Sequence, residues 1–306
     1  MKGERRMVPK ATPTSYYGQP ILKEHVWKGW IPAYFFAGGL AAGLSTIAFH
    51  SDRRGRKRLA RRSWVASTAA LGAGTSFLIA DLGRPSRFHH MLRVAKPTSP
   101  MSVGTWVLST FGPATGLAAL ASVTGWLPRV GRAAGLAAAA LAPAMATYTS
   151  VLLTDTAVPA WSEARGELPF VFAASAMAAA GAVAIIVTPA AEAGPARRAA
   201  VIGSLAEAAG VRVMKESLGQ LAEPYHEGHA GDLSSTAETL TLGGAAVVAL
   251  LGRRRIPAVM GGLLIAAGSL AERFAVVAAG SASARDPSYT VGPQKARLAA
   301  RAATAF

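Results

Sequence analysis

Residues 168–190 read LPFVFAASAMAAAGAVAIIVTPA, a run without a single ionisable side chain. As a helix, about 20 such residues cross the hydrocarbon core of a bilayer. The run is not isolated. Working outward, comparable runs occur at Trp27–Phe49, Trp64–Ala80, Val103–Trp126, Ala133–Leu153, Ala199–Leu218, Thr236–Leu251 and Ile256–Ala279. Backbone groups in lipid must be satisfied within the segment, so helix is the assignment. A transmembrane barrel would show alternating segments of about ten residues instead. The fold class expected is therefore all-α, a polytopic transmembrane helical bundle of about eight spans. An arrangement of two four-helix halves, residues 27–153 and 154–280, is expected between an extramembrane segment, 1–26, and a polar tail, 281–306. Two runs are weaker. The sixth contains Glu207, Arg212, Lys215 and Glu216, and the seventh is short.

Composition agrees. Of 306 residues, 51% are hydrophobic and 16% charged, against about 25% charged in soluble domains. The mean hydropathy is +0.31. These values exclude an ordinary soluble enzyme. The net charge of +16 would suggest nucleic acid in a soluble protein, but here the basic residues sit between apolar runs. Four alternate loops hold 14 of them against two acids, Asp52 and Glu192. Positive loops face the cytoplasm, so both termini are expected outside, with no nucleic-acid partner. Met1–Pro20 has no apolar core and does not read as a secretory signal. The chain has no cysteine, so it cannot ligate an iron–sulfur cluster through thiolates.

Ionisable groups within spans are costly and mark functional sites by default. They gather toward the expected outer ends: His25 and Tyr34 on span one, Asp81 on span two, Tyr148 and Asp155 on span four, Arg212 and Glu216 on span six, Glu272 and Arg273 on span eight. Glu207 lies nearer mid-membrane. A polar pocket open to one face would give this pattern. Helix-end anchoring would also account for His25, Asp81 and Asp155, and Arg212 and Glu216 can neutralise each other as an i,i+4 pair. Asp81-Leu82-Gly83-Arg84-Pro85 places an acid and a base around a tight turn. It can hold a polar ligand or simply cap a helix. His89-His90 and His226-x-x-His229 lack a further ligand at a diagnostic metal spacing and read as surface histidines. Gly39-x-x-x-Gly43 is a small-residue face of the kind that lets helices approach closely.

Three stretches in order carry a resemblance: Trp30-x-x-x-Tyr34-Phe35-Phe36-Ala37-Gly38-Gly39-Leu40-Ala41-Ala42-Gly43, then Asp81-Leu82-Gly83-Arg84-Pro85 with Phe88, then Ser99-Pro100-Met101-Ser102-x-Gly104-Thr105-Trp106. Over roughly residues 25 to 125 the chain resembles the NrfD / polysulphide reductase membrane-subunit family, the PsrC-like proteins. The resemblance implies a quinone-reactive membrane anchor without haem. Such an anchor exchanges electrons between menaquinone or ubiquinone and a four-cluster ferredoxin-like iron–sulfur subunit, itself joined to a molybdopterin catalytic subunit. It points to His25, Tyr34, Asp81 and Arg84 as quinone-pocket residues, with His25, Asp81 and Arg84 catalytic. Tyr148 joins the quinone site by span depth. No histidine lies in the middle of a span, so no transmembrane bis-His haem can form, and electrons must pass from a partner's cofactor to bound quinone.

His25 and Tyr34 can donate hydrogen bonds to the head group. Asp81 can exchange a proton, and Arg84 can position Asp81 or stabilise anionic charge. Asp155, Glu207, Glu216 and Glu272 are candidates for a proton path, with inter-helix hydrogen bonding as the plainer role for Glu207 and Glu272. A secondary transporter built from two repeats and a purely structural anchor are the rival readings.

Overall fold

A computed structural model of the chain describes residues 21–23 and 27–304. Eight long helices follow the eight apolar runs: α1 (Trp30–Arg53), α2 (Lys57–Asp81), α3 (Pro100–Thr124), α4 (Pro128–Thr154), α6 (Leu168–Val187), α7 (Gly194–Leu218), α8 (Gly228–Leu251) and α9 (Arg255–Arg285). A one-turn helix, α5 (Pro159–Ser162), precedes α6, and α10 (Ser288–Thr304) ends the described chain. Two 3-10 segments, Pro85–Arg93 and Gly219–Tyr225, bridge α2 to α3 and α7 to α8.

Local sequence explains several boundaries. Proline opens α3, α4, α5, α6 and α7, where its missing N–H costs nothing. Gly125 ends α3 in the left-handed conformation, φ 73°, its N–H donating to Ala121 O.

Seven of the eight long helices are long and apolar enough to cross a membrane, so the chain is a multi-pass membrane protein. The one outside that set is α7, the sixth run, which carries six charged residues from Arg197 to Glu216. It packs chiefly on α6. Its outward face mixes apolar Ile202, Leu205 and Val213 with the ion pair Arg212–Glu216 at 3.0 Å, so its exposed charge is largely cancelled.

Helices α1, α2, α3 and α4 pack in one group and α6, α7, α8 and α9 in another, with α1 against α6 as the main seam. The seam runs through the Gly39-x-x-x-Gly43 face. A Cβ on Gly43 would stand 2.6 Å from Ala180 Cβ and 2.7 Å from Ala176 O, and one on Gly39 would stand 3.2 Å from Ala176 Cβ. Only a bare backbone permits this approach. Correspondingly, 83% of the apolar window of α1 is buried but only 22% of that of α3. The core lies along α1, α6 and α9, and α3 is peripheral.

The arginine-rich loops are shorter than their sequence suggests. The first comprises residues 54–56 only, because α1 runs to Arg53 and α2 starts at Lys57. Likewise Arg132 and Arg198 lie within helices, and Arg255 opens α9. Three of these charges meet carbonyls at or just beyond the C-terminal end of α6. Arg255 donates to Ile185 O and Thr188 O, both at 2.8 Å, and to Ile186 O, Arg62 donates to Val187 O, and Arg197 donates to Ala190 O at 2.7 Å. Those carbonyls have no intrahelical partner, and cations suit the negative helix end.

The opposite end, to which Asp81 belongs, is tied by α5 and α10. Trp161 of α5 is fully buried and donates from its indole to Val276 O at 2.8 Å. Its ring lies where a Cβ on Gly280 would have to go. Arg297 of α10 pairs with Glu163 at 2.9 Å, and Tyr289 donates to Glu223 at 3.0 Å.

Candidate functional site

At the Asp81 end, α1, α2, α3 and α4 enclose a cavity of 160 Å³. Its walls are apolar and aromatic, including Trp27, Ile31, Phe35, Leu78 and Met101. Four polar side chains join them: Tyr34, Asp81, Thr105 and Tyr148. Thr105 Oγ1 is satisfied, donating to Met101 O at 2.9 Å. A dry cavity of about 150 Å³ accepts one benzene molecule, so this space fits a single substituted ring and little more.

The hydrogen bonding of the other three, Tyr34, Asp81 and Tyr148, is incomplete. Tyr148 OH is buried with no partner. Tyr34 is 4% exposed, and its hydroxyl makes no hydrogen bond among the described residues. Asp81 Oδ1 accepts the Lys28 N–H at 3.3 Å. Buried hydroxyls are nearly always paired. The buried Tyr148 hydroxyl, left open in an apolar cavity with the unpaired Tyr34 hydroxyl and one carboxylate, is therefore suited to a ligand carrying hydrogen-bond acceptors.

The third sequence stretch, residues 99–106, builds one wall. Ser102 Oγ donates to Val94 O at 2.8 Å and accepts the Lys96 N–H at 3.0 Å, and Trp106 donates to Val94 O at 3.0 Å. These bonds fix the chain entering α3. Gly104 packs directly beneath the Tyr148 ring, closer than any Cβ would allow. The glycine thus sets where Tyr148 sits. Trp30 stacks on Phe77 with ring centroids 5.7 Å apart and joins α1 to α2 beside the cavity.

The other expected site residues lie elsewhere. His25 falls outside the described residues. Arg84 is exposed, does not line the cavity and forms no ion pair with Asp81 among the described residues. Asp155 is exposed at the end of α4 and lines no part of the cavity.

A second polar cluster lies between α7, α8 and α9. Glu207, Glu238 and Glu272 line one narrow crevice of 20 Å³ with Ser234 and Thr241. Glu207 and Glu272 are each 4% exposed. Arg273 is buried beside them. Its guanidinium lies 3.7 Å from the Phe172 ring centroid and donates to Phe172 O at 2.9 Å, while Nε and Nη1 have no partner. The ring face and the carbonyl together hold the cation within the bundle. Lys215 donates to Ser234 Oγ at 3.0 Å. Glu216 is not part of this cluster. It faces outward, paired with Arg212. Glu238 was not singled out by sequence reasoning, although a carboxylate near the start of an apolar run was the available signal.

Comparison with known proteins adds the lineage. Among curated proteins, a selenate reductase subunit of Mesobacillus selenatarsenatis is 34% identical over 79 residues. That stretch is 25% of this chain and 18% of the relative, so the match spans under a fifth of the relative's length. A family model described as polysulphide reductase, NrfD, matches residues 20–222, which include α1 to α7 and every residue lining the Asp81 cavity. The chain belongs to the NrfD polysulphide reductase family.

Proposed function

We propose that the Asp81 cavity takes the head group of a membrane quinone, and that the chain is the quinone-reactive membrane subunit of an oxidoreductase complex. The observation that carries this reading is the buried, unpartnered Tyr148 hydroxyl, with the Tyr34 hydroxyl unpaired among the described residues, beside a carboxylate in a ring-sized apolar cavity. Quinone carries two electrons and two protons when bound. The protein's part is to hold the ring and move protons. Tyr34 and Tyr148 donate hydrogen bonds to the head-group oxygens. Asp81 gives or takes a proton, with the Lys28 N–H orienting its carboxylate. Trp27, Phe35 and Met101 exclude water from the ring.

In this reading, electrons come from or go to a four-cluster iron–sulfur subunit docked on the Asp81 end, joined to a molybdopterin catalytic subunit. The name of the selenate reductase relative supports a reductase assembly. Its short match supports the role of the membrane subunit, not the identity of the substrate. The arginine-rich end then faces the cytoplasm and the Asp81 end the outside of the bacterial plasma membrane. Glu207, Glu238 and Glu272 serve as proton-carrying groups of the second half. Asp155 and Glu216 stand outside that set.

The test is purification from the native host in mild detergent, with iron and molybdenum analysis and quinol turnover of wild type and Asp81→Asn. The expected outcome is a complex containing an iron–sulfur protein, which still assembles in the variant but has lost turnover. Unchanged turnover would remove Asp81 from the mechanism. Recovery of the chain alone, metal-free, would overturn the reading.

A further inference from the structure

A larger cavity lies at the opposite end from Asp81. It measures 560 Å³, more than three times the 160 Å³ of the Asp81 cavity. It is bounded by the start of α2, the end of α3 and the start of α4. Four cations and one acid line it: Lys57, Arg58, Arg61 and Arg132, with Asp52. Two are compensated, Lys57 by Asp52 at 2.8 Å and Arg58 by Glu192 at 3.1 Å. Arg61 and Arg132 form no ion pair and no hydrogen bond among the described residues. Two like charges from different helices thus share one cavity with no acid assigned to them.

The backbone adds to the same field. Both α2 and α4 begin at this cavity, and neither has a side-chain cap or an acidic residue in its first turn. Their exposed N–H groups and positive dipole ends therefore also favour an anion. The deeper wall is apolar. Trp64 and Ala118 are 4% and 3% exposed, so the cavity is basic at its rim and greasy below. Neighbouring α2 and α3 bury only 28% and 22% of their apolar windows, which leaves the cavity beside membrane-facing helix surface.

We propose that this cavity is a binding site for a phosphate-bearing anion, held by Arg61, Arg132 and the α2 and α4 N-termini. A basic pocket between membrane helices suits an anionic phospholipid head group. The same phosphate chemistry would admit free inorganic phosphate, and the experiment separates the two sources.

The full-length chain, with whatever subunits copurify, is delipidated in neutral detergent. It is then titrated with phosphatidylglycerol or with inorganic phosphate. Phosphatidylglycerol retention is read by native mass spectrometry, and stabilisation by phosphate is read from intrinsic-tryptophan melting. Wild type is compared with R61Q/R132Q. The control R129Q/R198Q removes the same charge from this end at positions that do not line the cavity. Lipid retention at least about tenfold lower in R61Q/R132Q alone establishes a phospholipid site. Stabilisation by inorganic phosphate that only R61Q/R132Q abolishes, with lipid retention unchanged, establishes the site with free phosphate as its ligand. Equal losses in both double variants, or no loss in either, would overturn the proposal, since the charge would then act only through the general field of this end.

Discussion

Replacing Tyr148 with Phe separates a ligand-binding hydroxyl from a structural one, because the two roles predict opposite signs. The ring packs on Gly104 and the hydroxyl is buried without a partner. A buried polar group left unsatisfied costs about 1–3 kcal/mol. Deleting the oxygen keeps the ring and relieves part of that cost, so the unliganded protein should become more stable. A gain of about 1 kcal/mol corresponds to roughly 2–4 °C in Tm for a chain of 150–250 residues, and to somewhat less here. Ligand binding should move the other way. One neutral hydrogen bond contributes about 0.5–1.5 kcal/mol, so affinity for a quinol analogue should fall roughly two- to twelvefold. Melting followed by intrinsic tryptophan fluorescence gives the first number and calorimetric titration of the analogue gives the second. A variant with a lower Tm and unchanged affinity would refute the reasoning, since it would reveal a structural partner for the hydroxyl and no role with ligand.

Other perturbations probe the frame around the site. Gly43→Ala should destabilise by about 1–3 kcal/mol because its new Cβ meets α6 backbone, and Gly39→Ala should cost less, having only a side-chain methyl at 3.2 Å. The reverse order in thermal melts would disprove the seam geometry. Arg273→Met removes the second donor to Phe172 O and the cation acting on Glu207 and Glu272. The bond lost is one made by a charged donor, so a loss of about 1.5–3 kcal/mol is expected, and a wild-type melting curve would contradict it. Asp286 accepts the Ser288 N–H at 2.8 Å at the start of α10, which holds its carboxyl below the usual carboxylate range. Its contribution is therefore complete above a pH of about 4, the unfolded value, and is lost as pH falls through the depressed folded value. Hydrogen exchange of α10, corrected for intrinsic rates, should show fraying in acid, and Asp286→Ala, which removes the acceptor, should reproduce it at neutral pH. Equal protection in both would rule out this cap.

The eight helices were legible because an apolar run of bilayer length has few alternatives. Their ends were less so. Residues 51–63 read as one basic loop, yet α1 continues to Arg53 and helix resumes at Lys57 because Lys and Arg are good helix formers. α5 left no periodic signal, being one turn long. Of the site, Tyr34, Asp81 and Tyr148 were legible as polar groups near one end of their spans. Met91 and Leu152 were not, since apolar residues acquire a role there only when four helices converge. Arg255 shows a different limit. Its charge signalled orientation, whereas its clamp on the end of α6 depends on tertiary placement that no local pattern encodes.

The short helix α5 gives the molecule an optical handle. Trp161 stacks on Trp27 at 5.7 Å with the ring planes 19° apart. Indoles so placed share their electronic transitions and yield an exciton-coupled pair in near-ultraviolet circular dichroism. One member is anchored to α9, while the other forms part of the Asp81 cavity wall. A molecule entering that cavity and shifting Trp27 changes the coupling. Occupancy can then be followed without a label in a chain that has no cysteine to carry one.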